Sequence, residues 1–205
     1  MKRQIVLQGD LSEEQAAEMG GCSEISVDCE MMGLHPWRDR LCVVQLMGEK
    51  MAPVLVQVDE AAGAPRLKQL LENPEIIVIF HFARMDLLFL HQRLGIAVTN
   101  VYCTKIASRL ARTYTDRHSL KEVVREMVGD HMDKTSQSSD WGRAKLTDDQ
   151  IQYAADDVRY LFEVKRKLSE ILKREGRMEL AQKAFDFLKT RRELDQLGHD
   201  DIFTH

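Results

Sequence analysis

Residues 24–46 read EISVDCEMMGLHPWRDRLCVVQL, two apolar runs joined by a turn that carries Gly33 and Pro36. Both runs are rich in β-branched and other apolar residues, which predicts two strands, the first over residues 25–29. Asp28 and Glu30 are two positions apart at the end of that strand, so their side chains point to the same side. Charged groups are costly in a buried strand unless they are compensated. The rest of the chain must therefore supply a compensating group.

The pattern around this stretch predicts an α/β fold. Runs rich in β-formers predominate before residue 80, and amphipathic helical patterns follow it. This order predicts a mixed central sheet flanked by helices, in a single domain over residues 1–205 whose C-terminal helix and tail (about 175–205) form an extension. Further strands are predicted at residues 3–9, 52–60 and 75–80, and helices at 11–19, 65 to about 73, 83–95, 104–113, 119–129, 146–176 and 177–194.

Composition narrows the classes of function. The 205 residues carry a net charge of −4, which argues against a protein that grips long nucleic acid by broad electrostatics. The start, MKRQIVLQGD, lacks the apolar core of a signal peptide, and the apolar run near residue 78 is too short to span a bilayer, so we expect no membrane association. The four cysteines form no C-x-x-C pair and are typical of a reduced, cytoplasmic protein.

Three further residues complete a constellation with Asp28 and Glu30. Asp86 falls in the first turns of a predicted helix, and Tyr153 and Asp157 are four residues apart on another, hence on one face. Taken singly, each acid has an ordinary explanation: an arginine partner such as Arg38 or Arg40, a favourable helix dipole, or a solvated surface charge. Taken together, four carboxylates and a phenol are the ligand set for two divalent cations, Mg²⁺ or Mn²⁺, about 4 Å apart.

The motifs VDCE, HFARMDLLFL, QSSDW and YAADDVRYL resemble, in this order, those of the DEDD 3′–5′ exonuclease superfamily in its tyrosine-bearing, ribonuclease D-like branch. That resemblance implies a ribonuclease H-like fold. Closer still, LQGDL, RDRLCVVQL, CTKIASRLARTYTDRHSLKE, SQSSDW, YAADDV and DIFTH are similar to the nano-RNase C family. This likeness implies an exoribonuclease that degrades very short single-stranded RNAs, dinucleotides above all, and assembles as a homo-oligomer, an octamer.

The resemblance also implies roles for particular residues. DCEMMGL departs from the nano-RNase C pattern and is similar to oligoribonuclease, in which the matching leucine wedges between two bases. Leu34, with Met31 and Gly33, is therefore a candidate for substrate binding. The basic and hydroxyl residues of the segment 108–119 are candidates for blocking the 5′ end of the substrate. Outside the turn, the candidates for substrate contact are His81, Arg112, Arg117 and His118. A solvated loop and helix cap is an equally good interpretation of that segment.

The predicted mechanism is hydrolysis at an RNA 3′ end to give nucleoside 5′-monophosphates. Asp28, Glu30 and Asp157 hold one cation, Asp28 bridges to a second, Asp86 supports the pair, and Tyr153 orients the attacking water. Two other activities stay open: a general ribonuclease D-like enzyme that trims longer RNA such as tRNA precursors, and a DNA-directed proofreading nuclease. A silent RNA-binding module is disfavoured because all four acids are present.

Overall fold

The computed structural model describes residues 4–133, 138–199 and 202–203. Along these residues the elements follow in the order β1 (Ile5–Gly9), α1 (Glu13–Gly20), β2 (Glu24–Met31), β3 (Leu41–Gly48), β4 (Val54–Val58), α2 (Pro65–Leu71), β5 (Ile77–Phe80), α3 (Ala83–Leu94), β6 (Val101–Cys103), α4 (Thr104–Ala111), α5 (Leu120–Met127), α6 (Asp148–Arg159), α7 (Leu161–Arg174) and α8 (Met178–Gln196).

The strands form one mixed six-stranded sheet in the order β1-β4-β3-β2-β5-β6. β3 runs antiparallel to its neighbours β2 and β4, whereas the pairs β1–β4, β2–β5 and β5–β6 are parallel. Helices cover both faces of the sheet, so the predicted α/β fold with a mixed central sheet is confirmed. Within the described residues, no helix combines the length and the apolar character that crossing a membrane requires.

The two faces of β2 carry different side chains, because successive residues of a strand point in opposite directions. Val27 and Cys29 face the larger core, which they share with residues of α2 and α3. Asp28 and Glu30 face the other side, where α6 packs across β2, β3 and β4. A smaller apolar cluster lies there, formed by Cys42, Val43, Leu55, Trp141, Leu146, Tyr153 and Ala154. The alternation of β2 therefore aims both acids at α6.

Several local predictions are confirmed in the described chain. Ser119 caps α5, and Thr147 caps α6 in a full capping box with Gln150. Gly95 ends α3 in the left-handed conformation, with φ of 63°. The strand predicted over residues 25–29 is longer than expected and runs to Met31, which places Glu30 inside the hydrogen-bonded ladder.

Two predictions of secondary structure were wrong. The single helix predicted over residues 146–176 is two helices, α6 and α7, separated at Tyr160. No glycine or proline marks this break; α6 packs on the face of the sheet over β2, β3 and β4, whereas α7 packs on α4 and α5. The strand β6 was missed because three residues are too short to show an alternating pattern.

The C-terminal helix α8, predicted to be part of an extension, packs against the core of the domain. Its residues Ala181, Phe185 and Leu188 are buried, and the Phe185 ring lies 4.6 Å from that of Tyr102 on β6. Asp195, near the end of α8, accepts hydrogen bonds from Arg84 of α3. The domain boundary stays a prediction, and most of the predicted DIFTH tail lies outside the described residues.

Because Phe185 is 1% exposed, Phe185→Ala is expected to lower the free energy of unfolding by about 3–5 kcal/mol. Phe187→Ala, on the same helix but 37% exposed, is the matched control and is expected to cost about 1 kcal/mol. Urea denaturation followed by circular dichroism measures both. Equal, small losses would show that α8 is dispensable to the fold.

Candidate active site

Three carboxylates converge where β2 meets α6. One carboxylate oxygen from each of Asp28, Glu30 and Asp157 lies within 4.8 Å of the other two. Asp28 is half-buried, while Glu30 and Asp157 are 8% and 4% exposed. The structure thus brings together the strand acids and the helix acid that the sequence pattern singled out.

An irregularity in the sheet helps to aim these groups. Glu30 pairs with Val43 of β3, but the next residue, Met31, pairs with Leu41, so Cys42 is an extra residue on β3. A β-bulge of this kind bends the strand and redirects the neighbouring side chains. The chain leaves β2 immediately after the bulge, which places the turn at residues 32–40 directly beside the carboxylates.

Asp86 adjoins this group from α3. It is 5% exposed, and burial raises the pKa of its carboxyl to about 8, with the Asp157 charge acting in the same direction. Its carboxylate is hydrogen-bonded with the Cys29 thiol, whose own pKa is raised by burial and by the Asp86 charge. Without added positive charge, this pocket therefore disfavours the ionised form of Asp86.

Tyr153 approaches from α6, one turn before Asp157, and the two side chains are hydrogen-bonded. Its ring packs against Trp141, with the ring centroids 5.9 Å apart. Burial and the charges of Asp157 and Glu30 raise the pKa of the Tyr153 phenol well above its ordinary value. Without a bound cation the phenol therefore keeps its proton, and its O–H donates to the Asp157 carboxylate.

The donor set fits a divalent cation. Carboxylate oxygens are the ligands that Mg²⁺ and Mn²⁺ prefer, and a cation would offset both the burial and the Asp157 charge that raise the pKa of Asp86. The alternative was that an arginine of the following turn pairs with one of the strand acids. The Arg38 guanidinium is instead bonded to Asp39, at 2.7 Å. Asp28 instead accepts a hydrogen bond of 2.7 Å from the Gln45 amide.

A cleft of about 620 Å³ opens beside Glu30. The turn after β2 forms one wall, with Leu34 74% exposed and Met31 half-buried. A Cβ at residue 33 would lie 2.1 Å from the Asp39 carboxylate, so any larger residue there would displace the Asp39 side chain. The lining is Cys29, Glu30, Met31, Met32, Gly33, Leu34, Ser138, Ser139, Asp140 and Trp141.

The opposite wall of the cleft is the polar segment 138–141. A polar segment with a tryptophan is compatible with lining a site or with capping the helix that follows; residues 138–141 line the cleft, and Thr147 caps the helix. Ser139 Oγ and the Asp140 carbonyl accept hydrogen bonds from the Gln150 side-chain amide in the first turn of α6. Met32 was not predicted to line the site, because only the folded turn brings it to the cleft; Gln137 of the predicted QSSDW motif lies outside the described residues.

The remaining candidates for substrate contact form a network away from the cleft lining. Arg112 is 1% exposed, and its guanidinium is bonded to Glu126, Ser108 and the Arg117 carbonyl. This placement favours a structural role for Arg112, which the sequence pattern did not distinguish from substrate contact.

The two histidines belong to the same network. His81 contacts Thr104 at 2.9 Å and the His118 carbonyl at 3.1 Å, and His118 contacts Ser108 at 2.9 Å. Arg117 has an exposed side chain. Substrate contact by His81, Arg117 and His118 stays a prediction.

The chain belongs to the 3′–5′ exonuclease family, whose model matches residues 3–173. Solved structures of similar proteins support this assignment to the family. Brucella melitensis NrnC bound to pGG is 41% identical, with each chain covered completely and a TM-score of 0.93. Brucella melitensis NrnC with bound Mg²⁺ is 40% identical, again with complete coverage of both chains and a TM-score of 0.92.

Curated relatives point to the same family. Ribonuclease D of Gluconacetobacter diazotrophicus is 33% identical over 155 residues, which are 76% of this chain and 39% of the relative. The chain therefore spans about two-fifths of the length of the ribonuclease D proteins that it matches. The predicted membership of the ribonuclease D-like exonucleases, the predicted resemblance to nano-RNase C and the predicted enzyme class are confirmed at the level of the family.

Asp157→Asn is expected to weaken Mn²⁺ binding by more than about 100-fold, because it removes one of three clustered carboxylates. It should also leave the melting temperature in EDTA unchanged or raised, since it relieves repulsion. Calorimetric titration and thermal melting measure the two effects.

Asp156→Asn is the matched control for that change. The neighbouring acid bonds to Arg159 at 2.7 Å and is not part of the carboxylate group, so its loss should leave Mn²⁺ affinity within about twofold. If Asp157→Asn binds Mn²⁺ as the unchanged chain does, the cation site is wrongly assigned.

Proposed function

We propose that this chain is a metal-dependent 3′–5′ exoribonuclease that hydrolyses very short RNAs, dinucleotides preferentially, to nucleoside 5′-monophosphates. The observation that carries the proposal is the group of three carboxylates within 4.8 Å at the side of a cleft. Carboxylate clusters of this kind hold the cations that assist phosphodiester hydrolysis. Membership of the 3′–5′ exonuclease family supports the direction of attack.

Each residue has a distinct part in the proposed reaction. Two divalent cations, Mg²⁺ or Mn²⁺, would supply the positive charge that activates water and stabilises the leaving 3′ oxygen. Asp28, Glu30 and Asp157 would hold the first, and Asp28 would be shared with the second. Asp86 would support the pair from its buried position on α3. The likeness to NrnC with bound Mg²⁺ supports dependence on a divalent cation.

Tyr153 would position the attacking water. Its O–H donates to the Asp157 carboxylate, so the phenol oxygen would accept a hydrogen bond from the attacking water, and the water proton would be taken up elsewhere in the site. A carboxylate of the cluster is the available acceptor for that proton. Because Tyr153 is also bonded with Asp157, one helix turn would fix both the water and a cation ligand.

The cleft supports a small substrate. A volume of about 620 Å³ is in the range of pockets for single small ligands, which suits one or two nucleotides better than a long chain. Leu34 and Met31, with Met32 beside them, would pack against the bases, and apolar contact with a base face discriminates little between sequences. The likeness to NrnC bound to pGG supports a short substrate.

One further part of the proposal, assembly as a homo-oligomer of eight copies, rests on the resemblance to nano-RNase C. Another, a cytoplasmic location, rests on the four free cysteines, because thiols persist in reducing compartments.

The second candidate function is a general exoribonuclease that trims longer RNA, such as tRNA precursors. The sequence likeness to ribonuclease D supports it, but only over 39% of the length of that relative. The net charge of −4 disfavours it, since a long RNA requires an extended basic surface.

The decisive experiment compares initial rates on 5′-labelled RNAs of two to about ten nucleotides in Mg²⁺. We expect the dinucleotide to be cleaved at least ~10-fold faster than the longest RNA, a difference of about 1.4 kcal/mol in barrier. Asp157→Asn serves as the control for contaminating nuclease and should release no product. Equal rates at all lengths would favour the general exoribonuclease.

Leu34→Ala is expected to lower kcat/KM for dinucleotides by about tenfold or more, because packing a leucine against a base contributes about 1.5–3 kcal/mol. Dinucleotides of different base composition should be affected alike. Leu197→Ala is the control, since Leu197 is 75% exposed and Leu34 is 74% exposed. Equal losses in both variants, or none in Leu34→Ala, would remove Leu34 from the substrate site.

A further inference from the structure

Gln45 is an unexpected residue in β3. The strand reads LCVVQLMG, every residue of it is buried, and Gln45 is 0% exposed. It lies directly opposite Asp28 in the β2–β3 register, on the side of the sheet that carries the carboxylates. A polar side chain in the middle of a fully buried strand is costly unless its hydrogen-bonding groups are paired.

Half of the Gln45 amide is paired. Its Nε2 donates a hydrogen bond of 2.7 Å to Oδ2 of Asp28. The reverse orientation would set Oε1 against a carboxylate oxygen, so the charge of Asp28 fixes which end of the amide faces it. The Oε1 atom makes no hydrogen bond within the described chain, although it is buried.

The buried, half-paired amide of Gln45 contributes little to the stability of the fold, but it orients the Asp28 carboxylate. An apolar side chain of similar size would fill the same space without an unpaired acceptor, so packing alone does not account for glutamine at this position. What glutamine adds is a charge-assisted hydrogen bond that fixes the plane of the Asp28 carboxylate. That carboxylate is one of the three whose oxygens lie within 4.8 Å.

We propose that Gln45 is a positioning residue of the cation site. It holds Asp28 in the orientation in which its carboxylate converges with Glu30 and Asp157, and it has no contact with substrate of its own. Residues that orient metal ligands in this way typically change metal affinity by 10- to 100-fold when they are replaced. The inference rests on the metal-dependent function proposed above.

The test is Gln45→Met, measured by Mn²⁺ titration calorimetry, by thermal melting in EDTA and by the Mg²⁺ dependence of dinucleotide hydrolysis. We expect Mn²⁺ affinity to fall about 10- to 100-fold while the melting temperature in EDTA is unchanged or raised. The Mg²⁺ concentration for half-maximal rate should rise by a similar factor, and saturating Mg²⁺ should restore most of the rate.

Gln57→Met is the matched control. Gln57 lies on the adjacent strand β4, and its amide donates to the Arg143 carbonyl and accepts from Gln8, so it touches no carboxylate of the site. Its replacement should leave Mn²⁺ affinity within about twofold.

Three outcomes would overturn the inference. The first is unchanged Mn²⁺ affinity in Gln45→Met. The second is a melting temperature in EDTA that falls by more than about 5 °C, which would assign Gln45 to the fold. The third is failure of both Gln45→Met and a second apolar variant, Gln45→Leu, to fold. If the unchanged chain itself binds no Mn²⁺, the proposed function fails; equal binding by unchanged and variant chains removes only the role of Gln45.

Discussion

The mutual repulsion of buried carboxylates is the constraint on which the rest of the site depends. Asp28, Glu30 and Asp157 place oxygens within 4.8 Å of one another, and burial, with the Asp157 charge in addition, raises the pKa of Asp86 beside them to about 8. Repulsion of this kind does not stabilise a fold, so the surrounding structure must impose it. The ladder between β2 and β3 and the packing of α6 across the sheet do so, and together they prepare a site that only positive charge can complete.

The same packing decides what Tyr153 can do. Its ring lies against Trp141, in a small apolar cluster separate from the main core, and its phenol meets Asp157 one turn further along α6. Apolar surroundings and neighbouring negative charge both raise the phenol pKa. A phenol that donates its one O–H to Asp157 has its oxygen lone pairs left for a second partner. In the proposed reaction that partner would be the attacking water, and the carboxylates would gather the positive charge that activates it, so the acids and the phenol would form one functional unit.

The parts of this site that the sequence predicted are those in which the interacting residues are close together along the chain. Asp28 with Glu30, and Tyr153 with Asp157, are related by the periods of a strand and a helix, so their shared faces were predictable from spacing. The role of Gln45 was not, because it depends on a contact with Asp28 on another strand. Likewise, nothing local marks the break between α6 and α7 at Tyr160, which separates helices with different packing partners. Spacing also does not show that the guanidinium of Arg112, a candidate for substrate contact, is bonded to Glu126.

The turn after β2 links chemistry to substrate choice. It is closed on itself: Asp39 accepts hydrogen bonds from Arg38 and from the His35 backbone, and the Met32 backbone donates to the Arg40 carbonyl. These hydrogen bonds tie the turn to the start of β3, and so they set the distance of Leu34, four residues beyond Glu30, from the carboxylates. In the proposed reaction that distance would determine where a base of the substrate binds relative to the scissile phosphodiester and the cations. The segment that carries Glu30 and Leu34 would therefore contribute both to hydrolysis and to the binding of the nucleotide.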